Sequence, residues 1–135
     1  MSSAVIALRK AVRAALAADA ALIALLGGVK IYDEAPRDAL APYVTFGDAL
    51  ARENSASLYP GLEQVLVLHV WSIQGGAREG LEIADRIAFL LDDAALTLDT
   101  HRLINLRFAA LETIREDAGR FVRVALRLRA VTESI

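Results

Sequence analysis

The 135-residue sequence contains no cysteine. Disulfides, thiolate metal sites and thiol nucleophiles are therefore excluded, which fits a reducing compartment. Histidine is nearly as scarce: only His69 and His101 are present, neither lies in a local catalytic motif, and there is no G-x-S-x-G elbow. Two isolated histidines beside scattered carboxylates also lack the spacing of a metal site. Asp92, Asp93 and Asp99 form the nearest acidic cluster, and their place around the end of a predicted helix reads as a solvated turn. No catalytic, cofactor-binding or metal-ligating residue is assigned.

Long apolar runs are missing too. The chain is 56% hydrophobic, but charged residues interrupt each apolar stretch well short of the roughly 18 residues a membrane span needs. No membrane partner is expected, and surplus apolar surface is left for protein contacts. The opening segment MSSAVIALRKAVRAALAADAALIALLGG carries Arg9, Lys10 and Arg13 within it and no leading basic region, unlike a secretory signal, so a cytoplasmic location is expected.

Strong charge of one sign is also lacking, with a net charge of -2. The balance is uneven: residues 1–100 hold 8 basic and 13 acidic side chains, and 101–135 hold 7 and 4, giving -5 against +3. This argues against a dedicated nucleic-acid binder and allows complementary charged faces between subunits. The length fits a single domain over 1–135, able to bury roughly two thirds of the surface its unfolded chain exposes.

Periodicity supplies the architecture. Val5, Leu8, Val12 and Leu16 predict an amphipathic helix over 4–18 with Ser2 or Ser3 as N-cap; Asp19 caps a short helix over 20–26, ended by Gly27 and Gly28. A short strand in 29–36, a strand over 42–52 and a central strand over 63–73 follow, the last with Leu66, Leu68 and Val70 on one face and Val65, Val67 and Trp71 on the other. Residues 77–91 return to helical spacing, with Leu81, Ala84, Ile87, Ala88 and Leu91 as the stripe, widened by Ile83 and Leu90, and Arg78–Glu82 and Glu82–Arg86 as i,i+4 pairs. Two strands, HRLINLRFAALETI (101–114) and RFVRVALRLRAV (120–131), joined at the turn EDAG, close the chain. The expected fold is α+β: a mainly antiparallel sheet of about four to five strands packed against two main helices on one face.

Two stretches invite chemistry. HVWSIQGGAREG, residues 69–80, could cradle a phosphate at a helix N-terminus, but it matches neither G-x-x-x-x-G-K-[ST] nor G-x-G-x-x-G, and Glu79 and Glu82 already complement the helix dipole. It reads as a strand end, a Gly-Gly turn and a helix start. The final strand puts Arg123, Arg127 and Arg129 on one face, with Arg107 alongside from its neighbour. A solvated face, an acidic protein partner and a passage for DNA all fit that pattern, and the net acidity favours protein.

LAADAALIALLGG followed by KIYDEAP, then PYVTFGD, LVLHVWS with GG..E....A, LDT.RLINLRF and a closing R.RAVTE occur in one order along almost the whole chain. Together they resemble the tail-completion proteins, or tail terminators, of long-tailed phages and phage-like gene transfer agents. The resemblance implies a structural virion protein and no enzyme. It implies a homohexameric ring that caps the tail tube protein, stops its polymerisation and joins a head-tail connector protein, with DNA passing through the lumen without sequence-specific binding. The expected location is the head-tail junction of a particle assembled in the bacterial cytoplasm, with no cofactor. The expected contact residues are Arg107, Arg123, Arg127 and Arg129, together with Asn54, Ser55 and Tyr59 of the long loop 53–61. The alternative is a small α+β ligand-binding or regulatory module with a pocket at the Trp71–Arg78 corner. An enzyme using His69 or His101 as a base ranks below both.

Overall fold

In the computed structural model, which describes residues 3–54, 60–73 and 77–135, the first helix starts where a serine can cap it. Ser3 accepts from the Ile6 amide and α1 runs Ala4–Ala17; Asp19 accepts from the Leu22 amide and α2 runs Ala20–Leu26, closed by Gly27 in the left-handed region at φ 80°. Strands β1 (Ile31–Tyr32), β2 (Tyr43–Phe46), β3 (Leu50–Glu53) and β4 (Gly61–Ser72) follow, then α3 (Arg78–Leu91), β5 (His101–Glu116) and β6 (Phe121–Ser134). The β5–β6 turn spends left-handed backbone at Asp117, Ala118 and Gly119.

Among the described residues these strands form one six-stranded sheet, β1-β2-β4-β6-β5, with β3 also pairing β4. The α+β class and the one-sided helical cover agree with the periodicity. The strand number differs by one: the short strand expected in 29–36 is present as the two residues of β1, parallel to β2, but the stretch 42–52 is two strands instead of one.

The break has a clear cause. Phe46 pairs with Leu68 and Leu50 with Val65, so three residues on one side oppose two on the other. This one-residue bulge reverses the alternation. Val44 and Phe46 point into the core, whereas Leu50 points to the opposite face and is 57% exposed. Gly47 sits in the bulge, donates its amide to the Val67 carbonyl at 2.8 Å, and accepts from Arg9.

The core lies between the sheet and the helices. Leu8, Val12 and Leu16 of α1, Leu22 and Leu26 of α2, and Ile83, Ala84, Ile87 and Leu91 of α3 meet Leu66, Leu68, Val70, Val124, Leu126 and Leu128 of the central strands. Ile83, assigned from sequence only to widen the α3 stripe, is fully buried, while Leu81 and Ala88 lie at its margin. The expected Glu82–Arg86 pair does not form. Arg86 instead makes a two-pronged contact with Asp19 at 2.7 and 2.9 Å, tying α3 to the start of α2 and holding the Asp19 carboxyl down at about 2 through that bond and the Leu22 amide.

A β-carbon at Gly47 would lie 2.6 Å from His69 Nε2 and 2.9 Å from Val67 Cγ1. The histidine ring can swing, but Val67 is stiff and sits within the sheet. Gly47→Ala is therefore expected to destabilise the fold by about 1–3 kcal/mol in chemical denaturation; an unchanged midpoint would show that the bulge is looser than this packing implies.

Candidate interaction surface

Register partners in a ladder share a face. On the face away from the helices, Trp71 therefore lies beside Tyr43 and Arg123, His69 beside Thr45 and Ala125, Val67 beside Arg127, and Val65 beside Arg129. From β5, Ile114, Glu112, Ala110 and Arg107 stand opposite Arg123, Ala125, Arg127 and Arg129. All four arginines expected at a contact surface are thus brought onto one sheet face.

One end of this face is aromatic. Tyr32, Tyr43, Trp71 and Phe121 follow one another with ring centroids 6.0–6.3 Å apart, and Trp71 Nε1 donates to Thr45 Oγ1 at 3.0 Å. The Arg123 guanidinium lies 5.5 Å from the Trp71 ring centre and donates to Glu116 at 2.9 and 2.5 Å. Its Nη1 is also 3.2 Å from His69 Nδ1. Arginine can only donate, so that nitrogen accepts and the histidine proton resides on Nε2. Partial burial, then the charges of Arg123 and Arg127, push the His69 pKa below its ordinary 6.5.

The remainder of the face differs. Val65, Val67, Ala110 and Ala125 form a low apolar floor between charged side chains. Arg107 reaches Asp92 at 3.3 Å. Arg127 and Arg129 are exposed, and among the described residues neither has an ion-pair partner. The four arginines therefore separate into two held by their own chain and two unneutralised ones. Sequence alternation cannot make this distinction, because Glu116 and Asp92 are delivered by a hairpin turn and a helix end.

The other candidates resolve into structure. His101 Nδ1 lies 2.9 Å from the neighbouring Thr100 hydroxyl at the start of β5. Asp92 accepts from the Phe108 amide at 2.8 Å, Asp99 pairs with Lys10 at 2.7 Å, and among the described residues no three His, Asp or Glu side chains converge on a cation position. At the Trp71–Arg78 corner, Ser72 donates to Glu79 at 2.7 Å and Gly80 packs closely on Val124, which joins the start of α3 to the sheet where a ligand pocket was the alternative. Gly75 and Gly76 of the turn, and Ser55 and Tyr59 of the loop, lie outside the described residues; Asn54 donates its amide to the Gly61 carbonyl at 3.1 Å, at the base of that loop.

An open groove of about 670 Å³ beside α1 is lined by Val5, Ile6, Arg9, Arg13, Phe46 and Ala49. Its cations serve the fold: Arg9 spans Asp33 and the Gly47 carbonyl above the Phe46 ring, and Arg13 donates to the Ile31 carbonyl. Their partners lie 18 or more residues away, beyond the reach of local pattern reading.

The family model described as Tail completion protein gp17 matches residues 10–133. Among solved structures, a chain of the virion of a native gene transfer agent particle is 30% identical to this one, with a TM-score of 0.90, over 99% of this chain and 100% of that chain. No curated protein matches.

His69 gives the face a pH signature. Its folded pKa lies below its unfolded value, so the unfolded chain binds more protons in the interval between them, and stability falls as pH drops below about 6.5. Melting temperature should decline from pH 7.5 to 5.5, and His69→Gln should flatten that decline. Parallel curves for the two proteins would mean that the histidine is not held neutral.

Proposed function

The chain belongs to the Tail completion protein gp17 family, a structural and non-enzymatic one, and we propose that it serves as the tail terminator of a phage-like particle. The observation that carries this reading is the end-to-end agreement with a gene transfer agent virion chain. The chain assembles into a ring of about six copies, the closed head-to-tail arrangement that non-equivalent surfaces produce when the rotation between copies closes. The ring sits on the completed tail tube, stops its growth and presents the opposite side to the head connector. DNA passes through the middle without base-specific contacts.

The open sheet face is the proposed contact surface, and Arg127 and Arg129 are its leading residues because their charge is not met within the chain. Arg123 and Arg107 shape the same face from their internal pairs. The loop 53–61, with Asn54, Ser55 and Tyr59, is proposed to reach the tube or the connector. Such lengths of irregular chain in small domains frequently carry contacts.

Joint reversal of Arg127→Glu and Arg129→Glu should reduce the solution mass by light scattering from about six subunits to one. An unaltered mass with impaired DNA delivery would place these arginines along the DNA passage instead. Shortening the loop 53–61 should leave the ring intact and abolish joining of tails to heads in particle preparations; normal particle yield would remove the loop from the proposed contacts.

A further inference from the structure

Helix α3 carries an outward stripe whose chemistry complements the open sheet face. Arg78, Glu82, Asp85 and Phe89 are all exposed and recur at helical spacing away from the buried Ile83, Ala84, Ile87 and Leu91. Among the described residues Asp85 has no ion-pair partner, and Glu82 has only the exposed contact with Arg78 at 2.9 Å, a type of pair that is easily exchanged. Phe89 is 73% exposed. Its ring is nevertheless held in place: the Arg86 guanidinium lies 5.0 Å from its centre and is itself fixed by both oxygens of Asp19. A pre-positioned aromatic loses little side-chain freedom on docking.

We propose that this stripe seats on the open sheet face of a second copy, Glu82 against Arg129, Asp85 against Arg127, and Phe89 over the floor at Ala110 and Ala125. Spacing supports the pairing. Same-face residues two apart on a strand are separated by roughly 6.7 Å, and residues three apart on a helix by about 5–6 Å. Laid along β6, the order carboxylate, carboxylate, aromatic on the helix meets arginine, arginine, alanine on the strand. In the reverse direction Phe89 would face an arginine and no carboxylate would reach Arg129. The two unneutralised cations are thereby matched by two available anions, and the small, exposed side chain of Ala110 leaves room for the ring beside the covered Ala125.

Helix layer and open face lie on opposite sides of the subunit, so the contact is heterologous: each copy offers α3 to one neighbour and its sheet to the other. This inference rests on the ring reading above, and it identifies which surfaces meet.

The test uses two full-length variants, Asp85→Arg and Arg127→Asp. Each alone places like charges at every contact and should run as a monomer in light scattering, with wild-type circular dichroism confirming the fold. Mixed in equal amounts they should recover the wild-type mass, because in an alternating ring the reversed helix of one meets the reversed strand of the next. The pair Glu82→Arg and Arg129→Asp should behave likewise. Assembly of both single variants, or failure of either mixture to recover the ring, would overturn this contact and leave the ring reading standing. A wild-type chain that remains monomeric would overturn the ring reading itself.

Discussion

The antiparallel ladder between β4 and β6 is the constraint that the other elements answer to. It pairs twelve consecutive residues of β4, Gly61 opposite Glu133 through Ser72 opposite Val122, without a register shift. Because side chains alternate with a period of two, that register decides which residues form the core, and a slip by one would turn either Leu66, Leu68 and Val70 of β4 or Val124, Leu126 and Leu128 of β6 out to solvent. Polar contacts on the core side secure both ends. Buried Gln64 donates to Thr132 at 3.0 Å near the start of β4, and Ser72 at its end donates to Glu79 of α3. A slipped ladder would leave the buried amide unmatched, which costs more than the bond itself contributes.

The same register creates the open face, and its character follows from what remains after the core is satisfied. Arg123 falls beside Trp71 and within reach of Glu116, so it is drawn into packing and its charge is largely spent within the subunit. Two and three positions along the alternation, Arg127 and Arg129 fall beside valines, which offer no charge. Strand periodicity alone makes these residues equivalent. Cross-strand neighbours make them different, and that difference separates scaffold from available surface.

The elements legible in sequence are those with long periodic signals: α1, α2 with its Asp19 cap, α3, and the three long strands all fall within a few residues of their predicted ranges. What sequence could not supply depends on through-space choices. The bulge at Gly47 adds one residue to an otherwise acceptable alternation, so residues 42–52 look like a single strand. The short strand expected in 29–36 is present as β1, but its parallel pairing with β2 is a through-space choice that two residues cannot signal. Arg86 has a carboxylate four residues before it in the chain, yet Asp19, 67 positions away, gives better geometry by accepting both prongs of the guanidinium. The arginine face was visible as a set, while its division into paired and unpaired members required knowing where Glu116 and Asp92 end up.

Sheet edges provide a second route by which copies of a β protein associate, and the outer edge of β5 is partly closed to it. Asp92 at the end of α3 accepts from the Phe108 amide, and the Asp93 amide donates to the Leu106 carbonyl at 2.8 Å. The backbone groups in the middle of this long strand are thus occupied by the chain's own helix terminus, an arrangement that protects an edge from strand addition. Toward the opposite edge, among the described residues, the sheet offers the two residues of β1 and the four of β3. With the edges guarded or short, the larger surfaces left for association are the open face and the outer side of α3. They point in opposite directions and carry complementary charge. A head-to-tail assembly built from them adds one neighbour on each side, and the rotation between successive copies then decides whether it closes into the proposed ring or runs on as a filament.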